Sequence, residues 1–187
     1  MENGIIYLFG YAGTGKYTVA SEIAKLTGAI IVDNQLINTP VFKVVGADGK
    51  TSLPMGVWRE IAKIRDAVFN AITYLASAES SFILTNELFH EDRGDHKIFN
   101  DIELISETRK AKFLPVRLLC KKEELVERVQ SPDRLSKFKE TSLEKLEYKL
   151  EKFTVLKPSH PNTYELDISS IDARVAAKMI IEQFNLL

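Results

Sequence analysis

Several residue types are scarce in this sequence, and each shortage excludes a class of protein. The 187 residues include one cysteine, Cys120, so no internal disulfide can form and a reducing compartment is expected. Because this cysteine ends an apolar run, a buried core residue is favoured over a catalytic thiol. Excess basic charge is also missing, since the net charge is −1 and the sequence pI is about 6.3. This balance argues against a nucleic-acid partner or an anionic membrane surface.

Long apolar segments are lacking as well. No apolar stretch approaches the roughly 18 residues that a membrane-spanning helix needs, and no basic leader precedes the first apolar run. We therefore expect a cytoplasmic protein without a membrane partner. The length suits a single α/β domain over residues 1–187, whereas the oligomeric state is not readable from the sequence.

The most informative stretch lies near the N-terminus, where a predicted strand over residues 5–9 leads into a glycine-rich turn. This turn, GYAGTGK, matches the G-x-x-x-x-G-K part of the P-loop pattern. Its backbone N–H groups would wrap a phosphate chain, and Lys16 would open a helix whose positive end faces the same anion. The competing interpretation is a glycine turn with an incidental lysine. The predicted nucleotide-binding residues are Gly10, Tyr11, Ala12, Gly13, Thr14, Gly15, Lys16, Tyr17 and Thr18.

Asp33 is the first candidate for an acceptor site. It follows a predicted strand over residues 29–32, at the edge where ligands bind in open α/β sheets, although a capping role in a loop is the alternative. Residues 34–53 lack a clean periodicity and predict a mobile flap. A long helix follows from Pro54 to about Ser77, so that residues 34–80 form the acceptor-side segment.

Polar residues after the third predicted strand are further candidates. Asn86 or Glu87 could hold a magnesium-bound water, or Glu87 could begin a polar loop. Arg93 in that loop could clamp an anionic acceptor or be a solvated charge. His90 and His96 lie six residues apart, which fits no metal-binding pattern, so no direct metal site is expected.

Local basic charge appears later, in residues 128–140. This segment contains four cations, Arg128, Arg134, Lys137 and Lys139. A phosphoryl-transfer enzyme needs cations over the transferred group because its transition state spreads negative charge over three oxygens. The segment is therefore interpreted as a lid, with Arg134 as the first and Arg128 as the second candidate phosphate ligand. A solvated charged face is the alternative.

Taken together, the loop over residues 10–18, the basic segment and the stretch from His160 to Asp167 resemble the P-loop small-molecule kinases. That group includes adenylate kinase, shikimate kinase and chloramphenicol phosphotransferase-like enzymes, and no single close match emerges. The resemblance implies a P-loop NTPase three-layer α/β sandwich. Its five-stranded parallel sheet would have the order 2-3-1-4-5, with helices on both faces, an acceptor site after strand two and a short lid after strand four.

The resemblance also bears on magnesium. The residue after Lys16 should be Ser or Thr, whose hydroxyl holds Mg²⁺, but it is Tyr17. Thr18 comes one place later, which is similar to adenylate kinases, whose magnesium is held largely through water. We therefore expect Mg²⁺ to be bound by nucleotide phosphates and water.

By this resemblance the chain is an ATP-dependent phosphotransferase, a kinase that uses ATP and Mg²⁺ to phosphorylate a small-molecule acceptor. Asp33 would lie near the acceptor hydroxyl, the lid arginines at the phosphates, and Arg59 or Arg65 on the acceptor side. From the residues alone, both arginines could equally be solvated. The alternative is a nucleotide-binding regulatory protein or a weak ATPase without an acceptor, suggested by Tyr17 and by Asn86, where an acidic residue is expected.

The acceptor is left open at this stage. A nucleotide acceptor would need an arginine clamp, for which Arg59, Arg65 and Arg93 are available. A sugar, shikimate-like or antibiotic acceptor would need Asp33 and neutral polar groups from residues 34–53. A GTPase is not favoured because the guanine-reading sequence N-K-x-D is missing.

Overall fold

The structure is a computed structural model, and it describes residues 1–132, 134 and 139–186. Strands and helices alternate along these ranges. The strands are β1 (Gly4–Phe9), β2 (Ile30–Val32), β3 (Phe82–Asn86), β4 (Lys112–Leu119) and β5 (Tyr164–Asp167). The helices are α1 (Lys16–Thr27), α2 (Asn34–Val45), α3 (Met55–Asn70, continued by a π-helical turn over Ala71–Leu75), α4 (Arg93–Arg109), α5 (Lys122–Val129), α6 (Leu143–Lys152) and α7 (Ala173–Phe184).

All five strands are parallel and form one sheet in the order β2-β3-β1-β4-β5, which confirms the predicted topology. β1 is the centre of the sheet, with Ile5 opposite Phe82 of β3 on one side and Phe113 of β4 on the other. All six residues of β1 are buried, as expected for a parallel strand that is covered on both faces. The apolar run before the glycine-rich turn is thus explained by its place in the sheet.

Alternate side chains of β1 enter two separate cores. Tyr7 and Phe9 pack with α2, α3 and α4 on one face, while Ile6 and Leu8 pack with α1 and α7 on the other. This division follows from the two-residue periodicity of a strand. The sheet and the helices on its two faces form the predicted three layers. Because the strands are parallel, the loops that follow β1, β2 and β3 lie at the same edge of the sheet.

The prediction of a mobile flap over residues 34–53 is wrong for its first part, which forms the helix α2. Asp33 caps this helix, because its carboxylate accepts the backbone N–H of Gln35. Ile37 and Phe42 enter the core, and Pro40 is exposed inside the helix. The proline suggested irregular structure, but core packing of the apolar face outweighs the loss of one backbone hydrogen bond.

The helix α6 begins at a serine cap, because Ser142 is its N-cap and the Ser142 hydroxyl accepts the N–H of Lys145. Part of the predicted lid, including Lys137, lies outside the described residues. Among the described residues, no helix combines the length and the apolar character that a membrane span requires.

Candidate active site

A cleft of about 580 Å³ lies at the edge of the sheet where β1, β2 and β3 end. Its described lining contains six cations and three carboxylates, although the whole chain has a net charge of −1. The cleft is therefore a local concentration of positive charge. The predicted site residues that line it are Ala12, Gly13, Gly15, Lys16, Tyr17, Thr18, Asp33, Asn86, Arg128 and Arg134.

The glycine-rich turn has the backbone conformation that a phosphate cradle requires. Gly13 and Gly15 have φ values of 89° and 84°, in the left-handed region that favours glycine. At Gly10 the limit is space, since a Cβ atom would lie 2.5 Å from the carbonyl oxygen of Leu118 in β4. The turn leads directly into α1, whose N-cap is Gly15, without a capping side chain. The first backbone N–H groups of α1 have no acceptor within the helix and suit an anion.

Lys16 lies inside this turn. Its Nζ atom donates hydrogen bonds to the carbonyl oxygens of Gly10 and Tyr11, each at 2.8 Å, and lies 3.4 Å from Oγ1 of Thr14. Burial lowers the pKa of Lys16 to about 8, although the nearby carboxylate of Glu87 opposes this effect. The direct partners of this buried ammonium are neutral oxygens. A bound anion would stabilise its charged form, because it would replace the stabilisation by water that burial removes.

Glu87 was a candidate for magnesium-bound water, and its observed partners are protein groups. Its Oε1 accepts the backbone N–H of Ala12 at 2.7 Å, and its Oε2 lies 2.5 Å from Nζ of Lys149. Lys149 also pairs with Glu140 at 3.1 Å. Burial lowers the pKa of Lys149, but the two carboxylates outweigh burial and raise it above its usual value. This network joins the glycine-rich turn, the end of β3 and α6.

The departure from the P-loop pattern at Tyr17 has a structural partner. The Tyr17 ring is 43% exposed and lines the cleft, and Nζ of Lys139 lies 5.0 Å from its centroid. A cation at that distance over an aromatic face is attracted by the ring. Tyr17 therefore connects the first turn of α1 to the C-terminal end of the predicted lid.

Two arginines of the predicted lid also line the cleft. Nε of Arg134 donates to the carbonyl oxygen of Glu140 at 3.0 Å. Arg128 pairs with Glu124 at 3.1 Å, one turn earlier on α5. Together with three lysines they form a surface that we call the cation wall, made of Arg128, Arg134, Lys139, Lys145 and Lys149. Lys145 and Lys149 are four residues apart on α6, so they share one face of that helix.

Asp33 is fixed between two strand ends. Its Oδ1 accepts the hydroxyl of Thr85 at 2.5 Å, and its Oδ2 accepts the N–H of Gln35 at 3.3 Å. The same hydroxyl of Thr85 accepts the N–H of Asn34 at 3.2 Å. The two sequence interpretations of Asp33 are thus compatible, because the residue caps α2 and also lines the cleft.

Neutral amides surround Asp33, and the sequence had indicated Asn86 among them but not Asn34, Gln35 or Asn38. Asn34, Asn38 and Phe42 are spaced by four residues and share one face of α2. Asn86 donates to the side-chain oxygen of Asn34 at 3.2 Å. The edge of Phe42 meets Trp58 of α3 at 5.9 Å between ring centroids. We call this surface the amide wall, made of Asp33, Asn34, Gln35, Asn38, Phe42, Trp58 and Asn86.

The segment that follows α2 contacts the segment that carries Lys139 of the cation wall. The backbone N–H of Thr141 donates to the carbonyl oxygen of Gly49 at 3.4 Å. Gly49 has a φ of 73°, and a Cβ atom at this position would lie 2.7 Å from the carbonyl oxygen of Lys139. The turn after α2 is shaped by Asp48, whose carboxylate accepts the N–H groups of Lys50 and Thr51. These contacts form a bridge between residues 49 and 139–141.

The three arginines predicted on the acceptor side do not line the described part of the cleft. Arg59 is exposed on α3 and Arg93 is exposed at the start of α4. Arg65 is half-buried on α3, and its Nε atom has no hydrogen-bond partner among the described residues. Gly10, Tyr11 and Thr14 complete the turn behind the lining residues.

The lining also bears on magnesium. Among the described residues, no group of three or more His, Cys, Asp or Glu side chains could hold a metal ion. The oxygen donors that line the cleft include the hydroxyl of Thr18 and the carboxylates of Asp33 and Glu87. Such a sparse donor set fits an ion that keeps most of its water and binds through phosphates, as Mg²⁺ does.

Several solved structures with a similar fold are kinases of different kinds. A sugar kinase from Janibacter sp. HTCC2649 has 15% identity and a TM-score of 0.67, covering 98% of this chain and 95% of its own. A gluconokinase from Sinorhizobium meliloti 1021 has 18% identity and a TM-score of 0.62, covering 98% and 92%. A thymidylate kinase from Candida albicans has 17% identity and a TM-score of 0.62, covering 100% and 94%.

No family model matches the sequence, and no curated protein matches it significantly. At identities below 20%, the structural likenesses bear on the fold and leave the reaction and acceptor to be argued from the cleft. The shared sheet order and the nearly complete coverage of both chains nevertheless agree. The chain has the fold of the P-loop kinases of small molecules and nucleotides.

Proposed function

We propose that this protein is an ATP- and Mg²⁺-dependent kinase that transfers the γ-phosphoryl group of ATP to a hydroxyl group of a small molecule. The observation that carries the proposal is the cleft itself. It combines a P-loop with a buried Lys16 and a carboxylate, Asp33, that is held at the neighbouring strand end. Asp33 also caps α2, but its position in the lining of the cleft is what favours an acceptor site over nucleotide binding alone.

In this reaction the loop amides and Lys16 hold the β- and γ-phosphates. Asp33 orients the acceptor hydroxyl and takes its proton as the oxygen attacks the γ-phosphorus. The bond between that phosphorus and the β,γ-bridging oxygen breaks, and ADP leaves with the electron pair. Because Thr85 and the N–H of Gln35 fix both carboxylate oxygens, Asp33 keeps its orientation without rearrangement.

The cation wall supplies charge to the transferred group. Arg134 and Arg128 approach from the lid segment, and Lys145 and Lys149 approach from α6. Cations in such positions stabilise the equatorial oxygens of the transition state more than those of the ground state. When bound, Mg²⁺ would supply charge neutralisation at the phosphates, and the residues that would stabilise its water shell are Thr18, Asp33 and Glu87.

The proposal is tested with three variants, by calorimetric titration of Mg·ATP and by an acceptor-dependent assay of ADP formation. Lys16→Ala should lose both nucleotide affinity and activity. Arg134→Ala should retain the affinity within about twofold and lower turnover by about 10³-fold, the scale of a phosphate-contacting arginine. Lys25→Ala is the control, because this lysine lies on α1 and pairs with Glu22 at the surface.

Two results would contradict the proposal. Equal nucleotide binding by the wild type and Lys16→Ala would show that the glycine-rich turn is not a phosphate cradle. Tight binding of ATP without its consumption, in the presence of a broad set of hydroxyl compounds, would favour a regulatory protein instead.

A further inference from the structure

The charges that line the cleft are distributed unevenly along the chain. Apart from Lys16, all lining cations among the described residues belong to residues 128–149, the cation wall. Between residues 33 and 87 the described lining contains no lysine or arginine, and its only charges are Asp33 and Glu87. The carboxylate of Glu87 is already paired with Lys149. The side of the cleft where the acceptor would bind is therefore neutral except for one carboxylate.

Asn38 gives this neutral surface a specific role. Its side chain is 5% exposed, it lines the cleft, and its amide makes no hydrogen bond with a described residue. Neither polar atom of this amide is among the fully enclosed atoms without a partner, so the amide keeps access to the cleft that it lines. A ligand group there can use its N–H donors, and another can use its carbonyl oxygen.

The other members of the amide wall have unused hydrogen-bonding capacity as well. Asn86 donates to Asn34 through its Nδ2, which leaves its carbonyl oxygen available. Gln35 accepts from Thr39 through Oε1 at 3.3 Å, which leaves its Nε2 donors available. A hydroxyl group is both donor and acceptor and can satisfy either. Phe42 and Trp58 add an apolar surface beside these amides, so the wall suits a ring that carries several hydroxyl groups.

An anionic acceptor would fit this wall poorly. A carboxylate or phosphate placed among amides loses much of its hydration without gaining a cation, and Asp33 would repel it. The three arginines that could have formed a clamp, Arg59, Arg65 and Arg93, do not line the described cleft. The side chain of Lys145 on α6 has no hydrogen-bond or ion-pair partner among the described residues, but this lysine belongs to the wall that the triphosphate needs.

We propose that the acceptor is a hydroxyl-bearing ring compound without phosphate or carboxylate groups, recognised by Asn38, Asn86 and Gln35 and presented to Asp33. This inference rests on the proposed kinase function and specifies its substrate class. Amino groups on the ring are compatible with it, because the single charge of the wall is negative. Nucleoside monophosphates and sugar acids are excluded as preferred acceptors.

The first experiment separates acceptor binding from transfer. The protein is saturated with Mg²⁺ and a non-hydrolysable ATP analogue, and calorimetry compares compounds that differ only in charge. Such sets include glucose with gluconate and glucose 6-phosphate, thymidine with its monophosphate, and uncharged and aminated cyclitols. At least one uncharged or aminated compound should bind at least tenfold more tightly than its anionic counterpart. Tighter binding of the anions, or no binding by any uncharged or aminated compound, overturns the proposal.

The same sets are then assayed with ATP for ADP formation. If the uncharged compound binds but is not phosphorylated, the kinase function fails while the acceptor class stands. If an anion is phosphorylated and Lys145→Met abolishes its binding, the kinase function stands while the acceptor class fails.

The second experiment tests the wall residue by residue. Asn38→Leu should weaken acceptor binding at least tenfold and leave the affinity for Mg·ATP within twofold. Asn100→Leu is the matched control, since Asn100 is exposed on α4 away from the cleft. Because a buried substitution can impair folding, Asn38→Asp serves as a second variant. Asn38→Asp should weaken the binding of anionic compounds further and leave the binding of aminated compounds unchanged. Unchanged acceptor affinity in both variants contradicts the assignment.

Discussion

The two walls of the cleft are built from different kinds of polar group. The cation wall contains five lysines and arginines, and several of them are held by carboxylates, as Lys149 is by Glu87 and Glu140. The amide wall is held by neutral hydrogen bonds and by one capping aspartate. A triphosphate needs dense positive charge, whereas selection among hydroxyl compounds needs directional donors and acceptors. In the proposed kinase, the cation wall would bind the triphosphate and the amide wall would select the acceptor.

The largest expected effect is at the one charge of the amide wall. Asp33→Asn keeps an oxygen that can cap α2 but removes the proton acceptor, so turnover should fall by about 10²–10⁴-fold, the range for a positioned general base. The affinity for Mg·ATP should stay within twofold. Steady-state kinetics and calorimetry on the same protein measure both quantities.

A second capping aspartate controls for the structural role of Asp33. Asp172 caps α7 by accepting the N–H of Val175 at 2.8 Å, outside the cleft. Asp172→Asn should leave turnover unchanged. A loss of activity in Asp172→Asn as large as in Asp33→Asn would mean that capping, and not chemistry, explains the phenotype.

Within the cation wall, Lys149 should also contribute to the stability of the fold. Lys149→Met leaves the carboxylates of Glu87 and Glu140 facing each other without their shared cation. Because this lysine is largely buried, unfolding free energy should drop by about 3 kcal/mol, the lower end for breaking a buried pair. Urea unfolding measures the change. Lys152→Met on the same helix is the control, since its exposed pair with Glu151 should contribute under about 1 kcal/mol.

The double variant Lys149→Met, Glu87→Gln sharpens this result. Removing the negative charge of Glu87 should restore part of the lost stability, because the uncompensated carboxylate causes much of the penalty. If Lys149→Met is as mild as Lys152→Met, the network that joins the glycine-rich turn to α6 does not stabilise the fold.

The affinity for nucleotide should also depend on pH, because Lys16 titrates. Burial lowers the pKa of Lys16 to about 8 in the free protein, and only the charged form attracts phosphate. Nucleotide affinity should therefore be fully present below pH 8 and fall as pH rises above it. Between pH 7 and pH 9 the affinity for Mg·ATP should fall about tenfold, because a proton must then be taken up on binding.

Calorimetry in two buffers with different ionisation enthalpies detects that proton uptake directly. Acceptor affinity is the internal comparison, since the amides of Asn34, Gln35, Asn38 and Asn86 carry no charge at either pH. A nucleotide affinity that is independent of pH across this interval would remove Lys16 as the titrating group.

The phosphate side of this comparison could be predicted from the sequence, and the acceptor side largely could not. The glycine-rich turn is recognisable because its spacing is local, from Gly10 to Lys16, and β1 before it is a continuous apolar run. The resemblance to kinases supplied the strand order, which the structure confirms. Asp33 was identifiable because it follows a predicted strand directly.

The helix α2 was missed because its stripe toward the cleft consists of amides. Periodicity is usually read from apolar residues, and the repetition of Asn34 and Asn38 four residues apart was the available signal. Asp33 as an N-cap was the other signal. The contact between Glu87 and the N–H of Ala12 joins residues that are 75 positions apart, and no local pattern encodes such a pair.

The smallest expected effect is at the bridge between residues 49 and 139–141, where Gly49 is a sensitive probe. Gly49→Ala places an alanine in a left-handed backbone conformation, which costs about 1 kcal/mol. Its Cβ would also lie 2.7 Å from the carbonyl oxygen of Lys139. Gly46→Ala is the matched control, because Gly46 has a φ of 65° but nothing within 4 Å of the added atom. Any difference between the two variants therefore reports the contact alone.

Both variants should lose similar backbone stability, but only Gly49→Ala should separate residue 49 from residues 139–141. Release of a fluorescent ATP analogue, measured by stopped flow, should then be up to about fivefold faster in Gly49→Ala, which corresponds to about 1 kcal/mol. Gly46→Ala should release it at the wild-type rate. Equal rates in the two variants would mean that the bridge does not retain the nucleotide, so that the two walls act independently.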